Sequence, residues 1–139
     1  MELIIHFISS LILGGVLYPF FGLSAFIVII GGFIVDVDHY LLYIYQFRSL
    51  EVKKALVYFR EYFDKHYKGK SPFFIFHSIE FLLLLVLVSF YSEYVFLLTL
   101  GIILHYSLDF LYEMKLAGHL IKNWSLIMWL REQIIKNVK

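Results

Sequence analysis

No cysteine occurs in the 139 residues, which excludes disulfides, thiolate metal sites and a cysteine nucleophile. Proline is confined to Pro19 and Pro72, so long stretches are free to be helical. Charge is scarce as well. Charged residues make up 17% and hydrophobic residues 61% of the chain, against about 25% and about 45–50% in soluble domains. One domain's length of soluble protein has too little interior for that much apolar surface, so a bilayer is the expected solvent. Basic residues are missing from positions 1–47 and 71–114; all twelve Lys and Arg lie in 48–70 or beyond 113. No glycine-rich phosphate loop, serine-nucleophile motif or nucleic-acid signature is present, and a nucleic-acid partner is not expected.

Four apolar runs remain, at 3–18, 22–47, 73–91 and 94–113. With slight extension of the first, each is long enough to be read as a transmembrane helix of about 20 residues. The first lacks a basic leader and is read as a span rather than a signal peptide. Pro19 ends it and Gly22 opens the second; Gly31-Gly32 would allow either close packing or a local break. Ser71-Pro72 is a good start for the third span, and Ser92-Glu93 a short turn before the fourth. Between the second and third, about 50–66, Lys53, Lys54, Arg60 and Lys65 alternate with Val52, Leu56, Phe59 and Phe63 at helical spacing. A last helix over about 119–137 carries Leu120, Trp124, Ile127, Ile134 and Val138 on one side. Both read as amphipathic helices on the membrane surface, the two tryptophans as an interfacial anchor. The expected fold is an all-α membrane protein of one domain, 1–139: a four-transmembrane-helix bundle with two interfacial amphipathic helices. The positive-inside rule puts both termini and the basic segment on the cytoplasmic side of the cell (inner) membrane.

Against this apolar background the ionisable residues stand out. A central Asp costs roughly 2.5–3.5 kcal/mol to insert, yet Val35-Asp36-Val37-Asp38-His39 sits inside the second run. His6, His77, Glu80, His105 and Asp109 lie in the others. Heights match: His6 is 13 residues before Pro19 and Asp36 is 17 after it. Likewise His77 is 15 before Ser92, while His105 and Asp109 are 13 and 17 after it. Faces match too, since Asp36 with His39, His77 with Glu80, and His105 with Asp109 are spaced i,i+3 or i,i+4. Asp38 stands about 200° from Asp36 on a regular helix and needs a local distortion to join them. These groups are expected to meet in one buried cluster, with His6, Asp36, His39, His77, His105 and Asp109 as metal ligands. The alternative for His6 is a satisfied helix-end histidine. Mixed imidazole and carboxylate donors suit zinc, with manganese or iron next, better than magnesium or calcium. Asp38 and Glu80 are the candidate general bases, Glu80 alternatively accepting a hydrogen bond from His77. His119 reads as a surface residue or as one folding over the site; His66, Glu93 and Glu113 read as solvated or facing headgroups.

In their order along the chain, His6, Asp36-Val37-Asp38-His39, Phe76-His77-Ser78 and His105-Tyr106-Ser107-Leu108-Asp109 resemble a family of small prokaryotic inner-membrane proteins. That family is described as membrane-bound metal-dependent hydrolases, of the LexA-regulated type. Its pattern has an early His, Pro-Asp-x-Asp-His, His-Arg-x-x-Thr-His-Ser and His-x-x-x-Asp. Here Val35 replaces the proline, and Pro72-Phe73 stand where the His-Arg would be. The resemblance implies metal-dependent hydrolysis, a bound ion polarising the scissile group; the buried location suggests a lipid-linked ester or phosphoester as substrate, at the cytoplasmic face. Two other classes fit the same residues: a metal-ion or proton transport protein, and a non-catalytic membrane protein with a structural metal site. The expected partner is a membrane lipid or lipid-linked substrate; assembly into a homo-oligomer is left open.

Overall fold

A computed structural model describes residues 3–66, 73–117 and 124–137. Every regular element among them is helical. Helix α1 spans Leu3–Phe21, a 3-10 turn covers Gly22–Phe26, and α2 (Ile27–Ile34), α3 (Val37–Phe47) and α4 (Val52–His66) follow. A second 3-10 turn at Ile75–His77 leads into α5 (Ile79–Ser89), then α6 (Glu93–Ala117) and α7 (Leu126–Asn137). The stretches Leu3–Phe47 and Glu93–Lys115 are long and apolar enough to cross a membrane.

Burial in α1 is inside out. Its buried residues are His6, Ser10 and Gly14, one turn apart each, while Ile12 and Val16 on the outer face are each 63% exposed. A water-soluble helix would bury the isoleucines. A helix in lipid gains nothing by doing so, and turns small and polar residues toward its neighbours. The same holds across the 3–47 stretch, whose most apolar window is only 28% buried.

The chain reverses at Gly22, which adopts φ +56°, a left-handed conformation that glycine takes without strain. Pro19 does not end α1 as expected. It sits inside the helix, where the missing N–H removes one bond only half a turn before the reversal. Helix α2 then returns along α1, with Gly32 against Ser10 and Phe26 against Gly14. It also lies beside α6. Here Gly31 meets the Leu98 carbonyl and Gly101 meets the Val28 carbonyl so closely that no Cβ fits. Helix α6 is antiparallel to α1, pairing His6 with His105 and Phe21 with Phe96, and α5 packs on α6 across the short turn at Phe90–Ser92.

Two further boundaries move. The 22–47 run is not one helix: it breaks at Val35–Asp36, not at Gly31-Gly32, whose role is close packing. The third helix begins at Ser78 rather than near residue 73, because Ser78 is extended (φ −90°, ψ 146°) and its side chain accepts the Phe81 N–H. Ser71-Pro72 and residues 118–123 lie outside the described residues. Helix α4 packs on α3, with Ala55 buried and the Tyr58 hydroxyl donating to Gln46, so part of its apolar face covers protein.

Candidate metal centre

The break at Val35–Asp36 aims the acidic segment. Asp36 N–H bonds the Phe33 carbonyl at 3.0 Å, Asp38 that of Val35 at 3.3 Å and His39 that of Asp36 at 3.1 Å. These i→i−3 bonds tighten the helix into a 3-10-like turn, the local distortion that Asp38 requires. Asp36 Oδ1 then stands 3.7 Å from His105 Nε2, and Asp38 Oδ2 stands 3.7 Å from His77 Nδ1. Both carboxylates reach the interior from one short segment.

Residues 74–78 leave helical geometry while inside the bundle, and their polar groups are taken up by side chains. Phe76 N–H donates to Asp38 Oδ2. The Tyr106 hydroxyl, 94% buried with its residue, is shared between the carbonyls of Phe76 and Ser78. Ser78 donates to Ile75 O at 2.9 Å, and Ile79 N–H reaches Trp124 O at 2.8 Å. Buried irregular backbone persists only with such partners. The loop swings His77 in, its ring lying nearly parallel to that of Tyr106.

Helix α6 supplies His105 and Asp109 on one face, and α1 brings His6. His105 Nδ1 lies 2.8 Å from the Gly32 carbonyl oxygen. A carbonyl only accepts, so Nδ1 carries a proton, and Nε2 is the nitrogen left to face the cluster. That Nε2 stands 3.7 Å from Asp36 Oδ1 and 3.6 Å from Asp109 Oδ2. His77 Nε2 is 3.6 Å from the same Asp109 oxygen, and His6 Nε2 is 3.3 Å from Asp109 Oδ1. The rings of His6 and His105 stack at 3.8 Å. His39 lies beside Asp36 at 3.7 Å and stacks on Phe74.

These separations decide what the cluster can do. An imidazolium donating to a carboxylate would sit at about 2.7–2.9 Å. Donor atoms placed about 2.0–2.1 Å from a tetrahedral ion stand about 3.3 Å from one another. The observed 3.3–3.7 Å follows the second pattern. Both nitrogens of His77 and Nε2 of His105 are buried without a hydrogen-bond partner, although buried polar groups are normally satisfied. Two overlapping sets, His6–His105–Asp109 and Asp36–His77–His105, bring one ligand atom per residue within 4.8 Å of each other. The buried His and Asp side chains could therefore hold a metal ion. His77 and His105 are fully buried, whereas the Asp36 side chain is 26% exposed, so the cluster opens outward on the Asp36 side.

Glu80 has other business. Its carboxylate accepts from Ser125 Oγ at 2.7 Å, Leu126 N–H at 3.0 Å and Ile127 N–H at 3.3 Å. It caps α7, which is what a carboxylate at a helix N-terminus does well, and it is not the acceptor for His77. Glu113 does not face solvent as expected. It is 4% exposed, and one oxygen accepts the Trp124 indole N–H at 3.3 Å. The sequence carried that signal, since Glu113 continues the His105–Asp109 stripe by one more turn. Trp124 is accordingly packed inward against Tyr106 and is not a lipid anchor. Tyr106 itself was missed, because an aromatic beside a ligand histidine has no spacing that marks it. His119 lies outside the described residues.

Comparison of the chain with protein-family models, curated proteins and solved structures returned no match.

Proposed function

We propose that this chain is a membrane-embedded metal-dependent hydrolase acting on a lipid-linked ester or phosphoester at the cytoplasmic face. In this reading it is a four-span protein of the cell membrane with both termini inside, α4 and α7 lying at the interface. The observation that carries it is the placement of His105, held at Nδ1 by the Gly32 carbonyl with Nε2 between two carboxylates. A metal cation suits that position.

The residues divide their work. Asp36, His77, His105 and Asp109 hold the ion, zinc first by donor chemistry and manganese or iron after it. Asp38 faces His77 Nδ1 at 3.7 Å, leaving Nε2 for the ion; a carboxylate on that side of the ring commonly orients a metal-binding imidazole. With Glu80 engaged by α7, Asp36 is the acid with an open edge and the better candidate to take a proton from attacking water. Bound metal supplies Lewis acidity at the scissile group. A substrate anchored in lipid fits because the surrounding surface is apolar, with Ile34, Val37 and Leu41 exposed around Asp36. The resemblance to metal-dependent membrane hydrolases supports the same assignment.

Elemental analysis of the detergent-purified chain is expected to find bound transition metal. Hydrolysis of phospholipid or polyprenyl phosphate esters should follow metal loading, and should be lost in His105→Ala and Asp36→Asn while folding persists. Unchanged turnover in both would remove the catalytic assignment. Ion uptake by liposomes carrying the protein, without hydrolysis, would point to transport instead.

A further inference from the structure

Resting on the reading of this cluster as a metal centre, we infer that it takes two divalent ions bridged by Asp109 and that its substrate is anionic. Each Asp109 oxygen has its own set of neighbours. Oδ2 is 3.6 Å from both His77 Nε2 and His105 Nε2, and the latter is 3.7 Å from Asp36 Oδ1. Asp36, His77 and His105 also bring ligand atoms within 4.8 Å of one another, so with Asp109 Oδ2 these residues would supply one ion. Oδ1 has a different neighbour, His6 Nε2 at 3.3 Å. A nitrogen cannot bind two metals with one lone pair, so His6 and Oδ1 belong to a second position. A carboxylate spanning two ions is the usual bridge in sites whose metals stand about 3.5–4 Å apart.

Charge points the same way. Asp36, Asp38 and Asp109 bring three carboxylates among the imidazoles, and an imidazole that ligates metal does so as the neutral ring. One divalent ion leaves the group at minus one, which buried surroundings penalise and which would repel a phosphoester. Two leave it at plus one. The second ion has only His6 and one Asp109 oxygen from the protein, so its remaining positions fall to water and to oxygens of an anionic substrate. The substrate class is then a phosphomonoester or phosphodiester rather than a neutral carboxylic ester, and the second ion binds more weakly until an anion joins it.

The test is metal titration of the full chain, stripped and held in detergent, with manganese(II) followed by elemental analysis and electron paramagnetic resonance. Two ions per chain are expected, the spectrum of the loaded protein broadened by coupling between the pair. Inorganic phosphate should lower the Kd of the second ion at least 10-fold, and His6→Gln should reduce the count to one. If His6→Gln fails to fold, the wild-type spectrum still decides. One uncoupled ion per chain, or two retained in His6→Gln, overturns the bridged pair while leaving a metal centre. A second ion indifferent to phosphate overturns the substrate class. No ion at all removes the metal centre and the hydrolase reading with it.

Discussion

Helices α2 and α6 run side by side, and the two halves of their contact could hardly differ more. Toward Gly22, Gly31 and Gly101 bring backbone against backbone, with Ala25, Val28, Leu97 and Ile102 sealed around them. No side chain intervenes and no polar group needs a partner. One turn further on, His105 reaches the Gly32 carbonyl, and the helices open into a knot of imidazoles and carboxylates. The dry half sets distance and register; the polar half uses them. If these helices lie in a bilayer, as proposed, lipid offers no hydrophobic force between them, and close van der Waals contact at small residues does the fixing. The polar half could not, because carboxylates without a cation repel.

That comparison breaks most visibly at Gly101. In Gly101→Ala the new methyl would meet the Val28 carbonyl, and backbone cannot swing aside. We expect about 3 kcal/mol of lost stability, the upper range for overpacking, read as unfolding in detergent or bicelles. Metal content should fall with it, since the displaced α6 carries His105. A variant as stable as the parent would mean the helices do not touch there.

The polar half should respond with a reversal of sign. Metal-free Asp109→Asn removes one of several neighbouring buried carboxylates, so its Tm is expected to equal or exceed that of the stripped parent. With metal the order inverts. A ligand at 100 times its Kd stabilises by about 2.7 kcal/mol, and the variant loses most of that gain. Thermal unfolding with chelator and with added zinc or manganese measures both. A parent more stable than the variant even when stripped would point to imidazolium–carboxylate pairs instead.

Much of this was legible in the sequence, for reasons that differ by residue. His105 and Asp109 announce themselves because i,i+4 spacing on a continuous helix fixes their common face. Asp36 and Asp38 could be placed together only by supposing a break, and nothing local says where it falls; Val35–Asp36 gives way because bonds elsewhere in the fold hold Asp38. Counting rise per residue assumed continuous α-helix through His77, where the chain makes only a short 3-10 turn. It reached the right level because a short irregular loop covers similar height. Glu80 misled for a related reason: its spacing from His77 implied a shared face, but Ser78 starts the helix between them. Its true partner, the start of α7, lies 45 residues away, beyond the reach of any periodicity.

Smaller effects test how the loop holding His77 is kept in place. Tyr106→Phe deletes the hydroxyl shared by Phe76 and Ser78, costing about 1 kcal/mol. Loss of an orienting partner should also weaken metal binding, by about 10-fold at the low end for such contacts. Stability that falls without any change in metal affinity would make Tyr106 a packing residue alone.

The smallest expected effect is the sharpest contrast with Gly101. A methyl at Gly15 meets nothing within 4 Å, on the outer face of α1 beside Ile12 and Val16. There Gly15→Ala keeps helical geometry and gains the roughly 0.5–1 kcal/mol by which alanine exceeds glycine in a helix. The same substitution thus destabilises one glycine and stabilises another, and only the presence of a facing backbone separates them. Lipid chains rearrange around a methyl; a packed protein surface does not. A loss of stability at Gly15 comparable to that at Gly101 would therefore reveal that something rigid covers this face, and a second copy of the chain would be the first occupant to test, by the oligomeric state of the parent and the variant in detergent.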